Sequence, residues 1–420
     1  MSSLLHRRDL FRGAATAAAL FGVSRAWADQ APKPLPGNDL FASDPEKYWL
    51  QVREEQFYLP TWRVFLNNGS LGIAPRPVLA AVTDYLERSA ALMVEEYPRW
   101  GYETLDDYRA EMAQFVGCKK EELAFTHNAT EAMSTIAAGL DLKPGDEVVF
   151  TDQEHPSGRC PWLARQAREG IVVREVKIPL PPKSSEEVAG LVVGALGPKT
   201  RVVSFSGITT TTGLVTPMKD ICAAARAKGI ISVVDGAHVT GQIPLRLDEL
   251  GCDYFVGSPH KWLFAPAGSG LLYIREENLR KLWPTIVTAR WDQQDLGAAR
   301  FMMVGTNNRA IFEGMMAGLR FSRQLGPDRI YKRIHSLAQY TYAKAADCRH
   351  VELLTPQNDS MYGSLVTMRF KQGNPEKLWS VCKAKKIWVV EGERVRLSTH
   401  IHTRKADIDE FFSLIDETLA

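Results

Sequence analysis

At 420 residues, 45% hydrophobic and 24% charged, the chain has ordinary globular composition and enough residues to bury a substantial core in one large and one smaller domain. Its 51 basic and 49 acidic residues leave no charge excess of the kind that selects nucleic acid or an anionic membrane as partner. Six cysteines, at 118, 160, 222, 252, 348 and 382, form no C-x-x-C pair and stand beside no histidine cluster, which excludes a zinc or redox motif.

The first residues read as a targeting segment. Arg7-Arg8-Asp9-Leu10-Phe11-Arg12 resembles the twin-arginine export signal, an apolar run follows from Ala14 to Val23, and Ala26-Trp27-Ala28 supplies an A-x-A cleavage site. That run is too short and alanine-rich to span a bilayer. Cleavage after Ala28 removes four arginines and one aspartate, leaving 47 basic and 48 acidic residues. The expectation is a signal peptide over 1–28, passage through the twin-arginine translocase, a periplasmic location and no membrane insertion after cleavage.

Residues 29–74 read as an N-terminal arm, rich in Pro, Gly and Asn at its start. From Pro75 helices and short apolar strands alternate. "PRPVLAAVTDYLERSAALM" and "YETLDDYRAEMAQFVG" carry apolar residues at helical spacing. "ELAFT", "EVVFT", "IVVREVK", "RVVSFS", "GIISVVDG", "YFVGS" and "GLLYI" read as strands closed by turn residues. Helical pieces such as "PMKDICAAARAKG" lie between several of them. The alternation predicts an α/β fold over 75–289, with a mostly parallel seven-stranded sheet covered on both faces. From Arg290 the character changes to a long helix near 307–325 and mixed pieces such as "SLVTMRF" and "RVRLSTHI", predicting a smaller α+β domain over 290–420.

In open sheets of this kind ligands sit beyond the carboxyl ends of the strands, and four features fall there. After "ELAFT", Asn128 or Thr130 caps a helix whose free N–H groups, with the Thr130 hydroxyl, suit a phosphate. After "EVVFT" comes His155, a candidate for stacking or proton transfer. Asp235 closes "GIISVVD"; a carboxylate there either caps a helix or meets a positive partner. Ser258-Pro259-His260-Lys261 follows "DYFVG", where a desolvated lysine has a lowered pKa and attacks aldehydes well.

These residues resemble the class V aminotransferase family, pyridoxal 5′-phosphate (PLP) enzymes of fold type I, over roughly residues 60–415. "VVDGAH" and "GSPHKW" are the most specific pieces. "LNNGSLGIAP" (66–75), "THNATEA" (126–132), "GTNN" (305–308) and "RVRLSTHIHT" (394–403) occur in the family's order. The resemblance implies that Lys261 carries PLP as an imine and handles protons, and that Asp235 keeps the pyridine nitrogen protonated. It implies that His155 stacks on the ring and that His238 lies near the phenolic oxygen. Ala129, Thr130, Ser258 and His260 hold the phosphate. Asn68 and Arg396 bind substrate, the arginine by its carboxylate. Thr306 reaches the partner's phosphate in a homodimer, and no metal is implied.

The resemblance leaves the reaction open. Desulfurases of this class need a reactive cysteine shortly before the carboxylate-binding arginine, and "KIWVVEGERVRLSTH" has none; desulfuration is disfavoured. "TTTTG" (209–213) and the compact ending look closer to the isopenicillin N epimerase-like branch. With its leader, the chain resembles the periplasmic PLP enzyme of pyoverdine maturation, which turns a terminal glutamyl group into succinamide by oxidative decarboxylation. The expectation is chemistry at the Cα of an amino-acid head on a peptide-like metabolite, with an epimerase or aminotransferase as the alternative. A binding protein that has lost catalysis has no need of Asp235, Lys261 and Arg396 together. Arg290-Trp291 and Arg99-Trp100 are candidates for the pocket entrance.

Overall fold

The computed structural model describes residues 32–92 and 103–419; the leader and Arg99-Trp100 lie outside them. Helix α1 (Pro45–Gln56) starts at Asp44, whose carboxylate accepts the Lys47 N–H at 3.0 Å, a side-chain N-cap. A two-residue strand, β1 (Val64–Phe65), follows, and then helix α2 (Arg76–Leu92).

The central sheet is built from β2 (Leu123–Thr126), β3 (Glu147–Thr151), β4 (Val172–Val176), β5 (Thr200–Ser206), β6 (Ile231–Gly236), β7 (Tyr254–Gly257) and β8 (Gly270–Ile274). Their order is β2-β8-β7-β6-β5-β3-β4, parallel throughout except that β8 runs antiparallel to both its neighbours. All seven strands coincide with the apolar runs of the sequence. Strands β2, β7 and β8 are buried along their whole length, as a sheet covered on both faces requires. The edge strand β4 is mostly exposed and carries Arg174 and Glu175, charges that discourage further strand pairing. Helices α3 (Ala129–Gly139), α4 (Pro156–Glu169) and α5 (Met218–Ala227) connect strands. A one-turn helix, α6 (Pro259–Trp262), follows β7.

Beyond the sheet come α7 (Ala310–Leu325) and α8 (Pro327–Asp347). An antiparallel sheet then forms in the order β12 (Arg394–Ser398), β10 (Leu365–Phe370), β9 (Val351–Leu353). β1 returns to pair in parallel with β11 (Ile387–Trp388), and α9 (Lys405–Leu419) ends the described chain. Among the described residues no helix is long and apolar enough to cross a membrane.

The apolar cores divide the chain elsewhere than at residue 290. Phe301, Met315, Phe321, Ile330 and Ile334 belong to the core of the large sheet. Val64, Leu66 and Leu337 join the core of the small one. Helix α8 is thus shared, Ile334 on the large core and Leu337 on the small, and Met361, Leu365 and Ile401 return to the large one. The arm of 29–74 is shared too, α1 packing on the large core and β1 on the small. What changes at residue 290 is the end of strand alternation, not the end of the core. Helix α8 was not anticipated as an element, although Ile330, Ile334, Leu337, Thr341 and Ala345 give it a buried face at helical spacing.

Candidate active site

The carboxyl ends of β2, β3, β5, β6 and β7 deliver side chains to one cavity of about 190 Å³, lined among others by Ala129, Thr130, His155, Asp235, His238, Ser258, His260 and Lys261. After β2, the Asn128 side chain accepts the Glu131 N–H at 2.8 Å. The N–H groups of Ala129 and Thr130 remain outside the helical ladder. The Thr130 hydroxyl bonds Ser157 Oγ at 2.9 Å, joining the starts of α3 and α4. His155 caps α4, its Nδ1 accepting the Ser157 N–H at 3.1 Å, so the neutral ring carries its proton on Nε2. Asp235 is buried at the end of β6, with Oδ1 accepting the Ala237 N–H at 3.0 Å. Helix α6 then places Lys261 one turn beyond β7.

Burial pushes the Lys261 amine down to about 8; Asp235 opposes this and Arg396 adds to it. Lys261 Nζ lies 3.1 Å from His238 Nε2. His238 is enclosed, and burial, with the charges of Lys261 and Arg396, holds it well below the usual imidazole range. His260 bonds the Ser269 carbonyl through Nδ1 at 2.8 Å, and burial lowers its pKa. Burial likewise lowers His155, helped by Lys261. Behind this set lies Glu154, which no sequence signal marked. Burial pushes its carboxyl up to about 7, although Thr151 Oγ1 donates to it at 2.5 Å and Ser206 Oγ at 2.6 Å. The nearby Asp235 raises it further.

Arg396, on β12, meets the cavity from the small-domain side. Its Nη1 donates to the Thr210 carbonyl and hydroxyl at 3.2 and 2.6 Å, and its Nη2 to Asn67 Oδ1 and Ser70 Oγ at 3.0 and 2.9 Å. Ser70 and Thr210 line the cavity. Arg396 Nε is buried without a hydrogen-bond partner, and burial pushes the guanidinium down to about 10. All its partners are neutral. A desolvated cation held this way is matched to an incoming anion.

Four expected residues sit elsewhere. Asn68 does not line the cavity; its amide donates to the Lys261 carbonyl at 2.7 Å. Asn67 is bridged to Ser398 and opens a turn in which its carbonyl accepts the Ser70 N–H at 3.2 Å, so the two asparagines face different partners. Asn67 meets Arg396, while Asn68 pins α6. The same loop is pressed onto α6 at Gly72, where a Cβ would come within 2.3 Å of the Lys261 carbonyl oxygen. Thr306 is exposed and does not line this cavity. Neither do Arg290 and Trp291: Trp291 stacks on Trp283 at a centroid distance of 6.0 Å. Arg290 borders a larger open cavity of about 810 Å³ with Asp106, Arg109 and Lys120. There Asp106 already pairs with Arg109 and Lys120, so the smaller cavity carries the chemistry. Of the residues not anticipated, Thr210 lies in the noted "TTTTG" and Asn67 and Ser70 in "LNNGS"; Ser206 and Glu154 gave no signal apart from their strands.

The groups present fit PLP. Lys261 offers a partly neutral amine for its aldehyde, and Asp235 a buried carboxylate for its ring nitrogen. The start of α3, with Thr130, Ser258 and His260, offers donors for its phosphate. No cluster suited to a metal ion occurs among the described residues.

Comparison with known proteins agrees. Residues 64–411 match the family model described as Aminotransferase class-V. The chain is 30% identical over 389 residues to an isopenicillin N epimerase of Streptomyces clavuligerus, covering 88% of this chain and 98% of that one. It is 26% identical over 392 residues to a probable cysteine desulfurase of Halalkalibacterium halodurans, covering 84% and 93%. Among solved structures, the cystine C–S lyase C-DES in complex with its product cysteine persulfide superposes with a TM-score of 0.77 at 26% identity, covering 84% of this chain and 97% of that one.

Proposed function

The chain belongs to the aminotransferase class-V family and is a PLP-dependent enzyme of fold type I; we propose that it works at the Cα of an amino-acid group on a peptide-like metabolite outside the cytoplasm. Arg396 carries this reading. A buried guanidinium with only neutral partners lacks the anion that a substrate α-carboxylate brings, and its fork fixes the orientation of that carboxylate.

Bound PLP supplies the electron sink for the pair left at Cα when one of its bonds breaks. The chain's own residues do the rest. Lys261, with its pKa pushed down to about 8, is available as a neutral amine to take a proton and as an ammonium to return it. Asp235 places a buried negative charge where a ring nitrogen needs to stay protonated. His155 borders the cavity beside it, and the α3 start with Ser258 and His260 holds the phosphate. Thr306 is left for a second subunit, and we assign it to the partner's phosphate in a homodimer.

For the bond broken, we read oxidative decarboxylation of a terminal glutamyl group to succinamide in pyoverdine siderophore maturation. In that reaction the amino acid and dioxygen give the amide, carbon dioxide and water. Two features support it: the Arg7-Arg8 leader, which exports proteins already folded and loaded, and a pocket that, among the described residues, is lined by no cysteine. Cys382, the nearest in sequence before Arg396, is buried, and burial pushes its thiol up to about 11, a poor state for a sulfur nucleophile. The second reading is epimerisation, favoured by near full-length similarity to an epimerase; it breaks Cα–H and keeps the carboxylate. Incubating the enzyme with a peptide whose terminal glutamyl group is joined through its γ-carboxyl, leaving the α-amine and α-carboxylate free, and weighing the product separates the two. Loss of the carboxylate carbon supports decarboxylation. Solvent deuterium at Cα in a product that keeps that carbon supports epimerisation and sinks the first reading. Persulfide formed from cysteine overturns both. Full periplasmic delivery of an Arg7→Lys, Arg8→Lys variant would count against twin-arginine export.

A further inference from the structure

The roles above leave Trp262 unused. It is fully buried, follows Lys261 in α6, and its indole Nε1 lies 3.3 Å from His238 Nδ1. An indole N–H only donates, so His238 Nδ1 accepts. A neutral imidazole has one proton, which must then sit on Nε2, the nitrogen 3.1 Å from Lys261 Nζ. An imidazolium is disfavoured because it sets two N–H groups against each other.

The indole is itself held firmly. Its ring stacks on His400 at a centroid distance of 5.8 Å and 23°, and the Trp262 carbonyl meets His400 Nε2 at 3.3 Å. The turn that carries His238 is clasped against α6: Gly241, at φ +86°, leaves no room for a Cβ, which would lie 2.8 Å from the Trp262 carbonyl carbon. Gln242 Nε2 donates to the His238 carbonyl at 2.7 Å. Ring and indole therefore cannot drift apart easily.

We propose that Trp262 is a positioning residue that fixes His238 as the Nε2–H tautomer and so makes it a standing hydrogen-bond donor beside Lys261. The proposal rests on the reading that Lys261 carries PLP, towards whose phenolic oxygen such a donor is useful. Without the indole, His238 is free to place its proton on Nδ1 and offer a lone pair instead. A glutamine at 238 has no tautomers and needs no such control.

The test is a double-mutant cycle read as the PLP dissociation constant, together with ¹⁵N-histidine spectra of the protein without PLP recorded above pH 9, where the Lys261 amine, lowered to about 8, is neutral and accepts. Trp262→Phe keeps a ring against His400 and removes the donor; we expect PLP affinity to fall about tenfold, the scale of one hydrogen bond. In a His238→Gln background the same change adds less than about twofold. An equal loss in both backgrounds means Trp262 acts by packing alone and overturns the proposal, as does no loss in either. The spectra decide independently of folding in the variants. The signal lost in His238→Gln is expected to show protonated Nε2 and bare Nδ1 in the unaltered chain. A protonated Nδ1 overturns the proposal. Failure to bind PLP at all sinks the cofactor reading but leaves this spectrum standing.

Discussion

On the wall of the pocket that faces the sheet, every group sits within a few residues of a strand's carboxyl end: Ala129 and Thr130 after β2, His155 after β3, Asp235 on β6, Ser258 and Lys261 after β7. The opposite wall is assembled from three segments far apart in the chain. There Arg396 of β12 is held by Asn67 and Ser70 before α2 and by Thr210 after β5. The first wall is positioned by backbone that the sheet makes rigid. The second is positioned by side chains meeting across the two cores. The first should therefore govern attachment of the cofactor and the second the grip on substrate, with little exchange between them.

The strongest way to break that division is Lys261→Ala, expected to lower kcat/KM by about 10⁴-fold and to abolish borohydride fixation of PLP to the protein. Turnover within tenfold of the unaltered enzyme would remove Lys261 from the chemistry. Next in size is Glu154→Gln, behind the sheet wall. The Glu154 carboxyl is raised from 4.5 to about 7, so the folded chain binds the extra proton between those values. Stability is then lost as pH rises from 4.5 to 7, by about 3 kcal/mol. Glutamine should cancel that loss, seen as a gain relative to the unaltered chain in urea unfolding at pH 8 but not at pH 4.5. The same pH dependence in both proteins rejects the assignment.

Arg396→Lys sharpens the other side. Losing the bidentate fork is expected to cost about 30-fold in kcat/KM, mostly through KM, while the absorbance of bound PLP and its affinity stay put. A parallel loss of PLP affinity would show that the walls are not separable. The smallest effect concerns charge across the pocket. The Lys261 amine, lowered to about 8, is raised by Asp235 and lowered by Arg396. The rate of PLP capture by the protein without cofactor should rise with pH through a midpoint near 8. Asp235→Asn should move that midpoint down and Arg396→Gln should move it up, each changing the rate at pH 8 a few-fold. Opposite directions would contradict the electrostatics.

The two walls also differ in how far they are legible in the sequence. A strand end announces itself: an apolar run of four to seven residues, then a polar residue that a sheet interior does not accept. Asp235, His155, Ser258 and Lys261 are found that way, and the order of the strands' motifs matches a family. Which of Asn67 and Asn68 meets Arg396 is decided by the bridge to Ser398 and the turn that follows it, which bring Asn67 to the guanidinium and Asn68 to the Lys261 carbonyl. Glu154 looked like one more acidic residue in a loop, and its burial against Ser206 exists only after β3 and β5 pair.

Local composition and periodicity thus determined the seven strands, the fold class, the lysine and the carboxylate, because hydrophobic runs and strand-end chemistry act over a few residues. Tertiary structure alone decided that α8 is shared between the two cores, that Arg396 has only neutral partners, and that the Trp262 indole meets His238. Each of those rests on contacts between segments that are brought together only when the two cores close on one another.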